Sequence, residues 1–367
     1  MYDAVFSPAF GNRPRTLVGR EQILEEFRNG IRSIRGSRER ARLILGQRGS
    51  GKTVLLLEMG DIARKDEYVV ASPSIVAAGM CERIIEKLSD EGAPYLPKKK
   101  TRITGGSIGA IGFSAGVQLQ GAEKEKHSFG WQLSHICSEL NKNKKGVLIL
   151  IDEVQAGSEE LKQLIISYQE MVGAGLNVAI VMAGLPGAVA ATLNDHVLTF
   201  LNRAVKTSLE PIPVRTVDLF YAKAFRELGI DIEKGLRRNA AEMTGGSPYM
   251  MQLVGHYITS YALDNGSLDP AQFQEAISDA AADYENDICL TILNSLSDKD
   301  RAFLLAMLPD SEDSSIAAIG ERLKVSSAYV QLYKRRLIEA GVIEQPRRGV
   351  VQFAVPYLKE YLIRENL

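Results

Sequence analysis

Gly46-Gln47-Arg48-Gly49-Ser50-Gly51-Lys52-Thr53 follows the apolar run Leu43-Ile44-Leu45 and precedes Val54-Leu55-Leu56-Leu57. The pattern is a strand, a glycine-rich loop and a helix. Glycines at these positions let successive backbone N–H groups turn inward around a phosphate, and the following helix presents its positive end to the same anion. Lys52 is placed to reach the β- and γ-phosphate oxygens, and the Thr53 hydroxyl to bind Mg²⁺. The alternative, a glycine-rich turn that carries Lys-Thr by chance, does not account for the strand and helix on either side. The chemistry implied is the binding of a nucleoside triphosphate, with ATP and Mg²⁺ as expected ligands.

About a hundred residues downstream, Gly146-Val147-Leu148-Ile149-Leu150-Ile151 ends in Asp152-Glu153. An apolar run without alternation suits a central parallel strand covered on both faces, and ligands gather at the carboxyl ends of such strands. Asp152 is expected to hold the metal, and Glu153 to polarise the attacking water. An apolar strand followed by two carboxylates is common by itself; paired with the loop it becomes informative.

These residues need a sheet to carry them. Ile23, Leu24, Phe27, Ile31 and Ile34 recur at helical spacing over 21–34, Tyr68-Val69-Val70 reads as a strand, and 80–88 reads as a helix with Ile84, Ile85 and Leu88 on one side. Alternation of strand and helix predicts a parallel sheet flanked by helices. No charged residue occurs between Met171 and Asn194. Interruption by Gly173, Gly175, Asn177, Gly184, Pro186 and Gly187 argues against a membrane span there and for a buried strand over 177–184 ending in a Leu185-Pro186-Gly187 turn. Lys98-Lys99-Lys100 and the glycine-rich 103–119 stand apart: a phosphate contact or a solvated loop would suit the lysines, and a pliant hairpin the glycines.

Beyond Pro211-Ile212-Pro213 the composition shifts to helix, with an amphipathic stretch over 217–228 and further helix around Gly245-Gly246-Ser247-Pro248. The last seventy or so residues predict helices over 298–308, 315–323 and 326–340, then two short strands flanking Pro346-Arg347-Arg348-Gly349. Three helices and a hairpin make a winged helix-turn-helix. Its third helix would bring Ser326, Ser327, Tyr329, Gln331, Tyr333 and Lys334 to duplex DNA, with Arg347 and Arg348 at the wing tip on the backbone. Arg335 and Arg336 add to the local basic charge. A protein-contact or lid module is the competing reading.

The chain has 367 residues, 45% of them hydrophobic, and 44 basic residues against 45 acidic, so net charge neither favours nor excludes a nucleic-acid partner. Cys81, Cys137 and Cys289 lie far apart, as expected in a reducing compartment, and His127, His135, His196 and His256 show no metal-ligand spacing. Met1-Tyr2-Asp3-Ala4 lacks the basic and apolar regions of a secretory signal. A cytoplasmic protein without membrane partners is the expectation.

Taken together these residues resemble the initiator and archaeal-type AAA+ ATPases with an origin-recognition-like ATPase domain, related to the STAND ATPases. The resemblance runs from about Leu17 to about Leu362. Leu17-Val18-Gly19-Arg20-Glu21 looks like the entry motif near the adenine, Gly46 to Thr53 like Walker A, and Asp152-Glu153 like Walker B. Gly246-Ser247-Pro248 is similar to the glycine-x-proline element, which implies Pro248 against the base. The resemblance places Arg203 where a family member carries an arginine finger for a neighbouring subunit; a surface or lid ion pair is its other reading. Two departures stand out: Met182-Ala183-Gly184 where the family has a polar sensor, and Ser247-Pro248-Tyr249 in place of a lid arginine.

The fold expected is therefore an α/β P-loop NTPase, a parallel sheet flanked by helices, over 1–210, a helical lid over 211–290 and a winged helix-turn-helix domain over 291–367. The function expected is an ATPase that hydrolyses ATP slowly or with a partner, switches its lid and winged helix, and acts on DNA. The alternative is a nucleotide-holding DNA-binding regulator or protein-interaction switch with little hydrolysis. A homo-oligomer or a protein client would be its further partner.

Overall fold

The computed structural model describes residues 5–8, 13–97, 127–196, 198–262 and 266–365. Lys98-Lys99-Lys100 and the glycine-rich 103–119 lie outside them.

The first unit alternates helix and strand: α1 (Glu21–Arg32), β1 (Ala41–Leu45), α2 (Lys52–Lys65), β2 (Tyr68–Ile75), α3 (Met80–Gly92), α4 (Phe129–Lys142), β3 (Gly146–Asp152), α5 (Glu159–Gly173), β4 (Val178–Gly184), α6 (Pro186–Leu193) and β5 (Val205–Ser208). The strands form one parallel sheet in the order β2-β3-β4-β1-β5. Both faces are covered, which is why the central strands carry unbroken apolar runs. Leu43, Ile149, Ile180 and Met182 point to one face, under α3, α4 and α5 through Ile84, Leu133 and Leu164. Ile44, Leu148, Leu150 and Val181 point to the other, against Phe27 of α1 and Leu55 and Met59 of α2. The uncharged run 171–194 is thus the end of α5, β4 and α6; among the described residues no helix is long and apolar enough to cross a membrane.

Four helices follow: α7 (Val214–Glu227), α8 (Lys234–Met243), α9 (Pro248–Ala262) and α10 (Pro270–Tyr284). A π-helical turn, Glu285–Leu290, leads from α10 into α11 (Thr291–Ser295) and α12 (Asp298–Met307). The chain ends with β6 (Ser314–Ser315), α13 (Ile316–Leu323), α14 (Ser327–Glu339), β7 (Ile343–Arg347), β8 (Val350–Phe353) and α15 (Leu358–Arg364). β6, β8 and β7 form a three-stranded antiparallel sheet in that order. Ser326 caps α14 by accepting the N–H of Tyr329, and Gly341, at φ +67°, ends it with a left-handed turn.

The four-helix unit and the C-terminal unit share one continuous hydrophobic core. It runs from Val217 and Tyr221 through Met250 and Tyr284 to Phe303, Leu337 and Leu358. Phe6 joins it, its ring 5.5 Å from that of Phe225.

Candidate nucleotide site

The register Leu45↔Gly184 and Leu45↔Ser208 brings the carboxyl ends of β4, β1 and β5 level, and the phosphate loop springs from that edge. Gly49 and Gly51 are left-handed, at φ +75° and +85°, a conformation that costs glycine little and other residues more. A side chain at Gly46 would meet Ser50 Oγ at 2.4 Å and Leu209 Cβ at 3.2 Å, so glycine there lets the loop fold this tightly without displacing them. Lys52 opens α2 and donates to the carbonyls of Gly46 at 3.0 Å and Gln47 at 2.8 Å. Burial pulls its ammonium down to about 8, the nearby Asp152 opposing the shift. Arg48 is exposed on the same loop.

Asp152 ends β3 with only 5% of its surface exposed. Its Oδ2 accepts the Thr53 hydroxyl at 2.5 Å and its Oδ1 the Glu153 N–H at 3.0 Å. The oxygen pair offered by Thr53 and Asp152 is the hard donor set that Mg²⁺ takes. Glu153 is exposed and held at φ +53°, a left-handed conformation uncommon for a residue with a side chain and frequent at functional sites. The turn that holds it is pinned by Val154 N–H donating to Ala183 O at 2.9 Å. At the end of β4, Gly184 carries no side chain, and one built there would come within 3.1 Å of Val154 and Val189, a tight fit.

Pro248 closes on the loop, while the Val18 segment packs on Ile212. Val18 is buried, and Gly19 sits against Ile212. Pro248 lies 3.8 Å from where a side chain at Gly51 would begin, which places it against the phosphate loop. The hinge 211–213 is fastened to the glycine turn before α9 by Ile212 N–H to Gly246 O at 2.9 Å.

The C-terminal unit reaches the same loop. A side chain on Gly341 would stand 2.7 Å from Gln47 Oε1 and 2.9 Å from Leu185, and one on Gly187 only 2.3 Å from the Cα of Glu339. Gly187 of α6 therefore meets the backbone at the end of α14, and Gly341 meets the Gln47 side chain of the phosphate loop. Sequence reasoning did not anticipate these contacts; glycines that pack against distant segments leave no local signal.

Other candidates lie elsewhere. Arg203 precedes β5, and the register Arg42↔Val205 sets it at the far edge of the sheet from the chain's own phosphate loop. It is exposed. On the C-terminal unit Ser327 is exposed at the start of α14, Tyr329 is half-buried, and Tyr333 is 7% exposed, its ring packed 4.5 Å from that of Tyr329. Tyr333 is a core residue of this unit rather than part of its surface. Lys334 bonds Gln345 at 3.1 Å, Arg347 pairs with Asp313 at 3.1 Å, and Arg348 is exposed beside it.

Comparison with known proteins agrees with this geometry. Residues 16–181 match the family model described as an AAA ATPase domain, and residues 287–362 match a domain of unknown function, DUF8462. No curated protein matches by sequence. Among solved structures, the Walker-type ATPase PABY2304 of Pyrococcus abyssi aligns with a TM-score of 0.68 at 18% identity, over 96% of this chain and 97% of that one. The Aeropyrum pernix ORC2 protein, solved as ADPNP–ADP complexes, aligns with a TM-score of 0.62 at 13% identity over 98% and 97%. Cdc6p from Pyrobaculum aerophilum aligns with a TM-score of 0.51 at 15% identity over 98% of each chain. The chain carries an AAA ATPase domain. Its fold is that of the ORC/Cdc6-like P-loop ATPases.

Proposed function

We propose that Mg-ATP, held by Gly46 to Thr53, sets how the lid and the C-terminal unit sit on the ATPase core, and that the C-terminal unit is a winged helix acting on duplex DNA. The observation that carries this reading is that both units touch the phosphate loop, Pro248 beside Gly51 and Gly341 beside Gln47. A ligand entering that loop meets both. Gln47 Oε1 and Ser50 Oγ are buried without hydrogen-bond partners, polar groups that a ligand would satisfy.

In this reading Lys52 leaves the carbonyls of Gly46 and Gln47 for phosphate oxygens, Thr53 and Asp152 hold the metal, and Glu153 orients the attacking water. Bound Mg²⁺ would neutralise charge on the β- and γ-phosphates. Gly184, with no polar sensor, favours hydrolysis that is slow or dependent on a partner. Arg203, at the edge remote from its own loop, suits a role in a neighbouring subunit's site within a homo-oligomer. The exposed Ser327, Arg347 and Arg348, with the half-buried Lys334 and Tyr329 beside them, are the proposed DNA-facing groups. Cys81, Cys137 and Cys289 are unpaired and buried, burial pushing each thiol up to about 12, which supports a reducing, cytoplasmic setting.

Phosphate release from Mg-ATP, measured with and without duplex DNA, tests the reading. Turnover that duplex accelerates supports it. Nucleotide binding with no turnover in either condition would favour the second reading, a nucleotide-holding regulator, which the missing sensor also suits.

A further inference from the structure

The turn Ser247-Pro248-Tyr249 brings no arginine to the phosphate loop. It brings the start of α9 and two hydroxyls instead. The Tyr249 N–H donates to Gly49 O at 3.3 Å, so the helix begins on the loop itself. A side chain built on Gly49 would lie 3.6 Å from Ser247 Oγ and 4.0 Å from the Tyr284 hydroxyl, which sets both oxygens over the same loop residue. Ser247 Oγ accepts the Met250 N–H at 3.3 Å and lies beside the Tyr284 hydroxyl.

Tyr284 is the more telling of the two. It is 0% exposed, at the last position of α10, and apart from the neighbouring Ser247 its hydroxyl has no partner among the described residues. Burial pushes this phenol well up, so it stays protonated and can only serve as a neutral group able to donate. A buried hydroxyl without a further partner costs stability that phenylalanine would not. Of seven side-chain atoms orphaned in this way among the described residues, Gln47 Oε1 and Ser50 Oγ belong to the phosphate loop and Tyr284 Oη faces it.

We propose that the Tyr284 hydroxyl, with Ser247 and the positive end of α9, is the lid's ligand for a phosphate oxygen of the bound nucleotide. The proposal rests on Gly46 to Thr53 being the nucleotide loop. Helix ends favour anions, and hydrogen bonds to charged groups are the stronger ones. Tyr284 also adjoins the π-turn that leads to the C-terminal unit, so the group touching phosphate is the one from which that unit is hung.

Tyr284→Phe separates this role from a structural one, because the two predict different changes. ATP affinity is titrated in the presence of Mg²⁺, and the melting temperature is taken without nucleotide, for the parent, Tyr284→Phe, Ser247→Ala and Lys52→Ala. Tyr284→Phe should melt at or above the parent temperature when nucleotide-free, yet bind ATP about tenfold more weakly. Ser247→Ala should weaken binding about threefold. Parental affinity in both variants, with Lys52→Ala unable to bind, overturns the proposal and leaves the nucleotide loop standing. A parent protein that does not bind ATP overturns the loop assignment itself.

Discussion

Lys52 is held by two carbonyls of its own loop and lies partly desolvated, which pulls its ammonium down to about 8. Folding therefore favours the neutral amine relative to the unfolded chain, where lysine titrates near 10.4. The destabilisation is fully present below pH 8 and is relieved as the pH rises from about 8 through about 10.4. Triphosphate restores the charged form, so binding ATP takes up a proton when the pH is near or above 8. ATP affinity should consequently fall about fivefold between pH 8 and pH 9, and calorimetric titrations in buffers of different ionisation heat should show the uptake. A flat affinity across that range would mean that Lys52 does not meet the phosphates. Glu153 raises a separate question, because it is an exposed carboxylate on a left-handed backbone just past β3. Glu153→Gln keeps that shape and removes the base, so it should bind ATP as the parent does and lose turnover by about a hundredfold or more. Parental phosphate release by Glu153→Gln would leave Glu153 a structural residue only.

At the scale of elements, the loop, the two core strands and the C-terminal helices could be read from sequence because each carries a local pattern. β3 and β4 show as unbroken apolar runs since both faces are covered, and α14 shows through its Ser326 cap and the stop at Gly341. Two strands, β7 and β8, stand close to the expected ones, and β6 adds a third strand that two residues could not announce. Tyr333 illustrates the limit. Its place on α14 suggested a DNA-facing ring, but which side of that helix is buried depends on α12 and α13 packing against it, and they bury Tyr333. Tyr284 went unread for the same reason, since its nearness to Gly49 joins residues about 235 positions apart. The basic groups remain the testable face. Replacing Lys334, Arg347 and Arg348 together by alanine should weaken duplex binding and flatten its log-log salt dependence by roughly 2 to 3. ATP affinity should be unchanged. An unaltered salt slope would remove the wing from the DNA contact.

Across the whole molecule, the expected division into ATPase core, lid and C-terminal unit meets a structure in which the last two share one core, from Val217 to Leu362. The proposed movement of the lid would therefore reach the C-terminal unit through the π-turn Glu285–Leu290 and through the contacts at Gly187 and Gly341. Nothing in composition or periodicity foretells this, because the apolar faces of α7 to α10 are equally able to close on themselves. The central claim is that nucleotide in the phosphate loop changes how the C-terminal unit sits on the core. Amide hydrogen exchange over 185–193 and 336–343, compared with and without saturating Mg-ATP, tests it most directly. Mg-ATP should alter exchange in both segments together, and Lys52→Ala should abolish the change. Identical exchange in the parent protein at saturating Mg-ATP would contradict the claim.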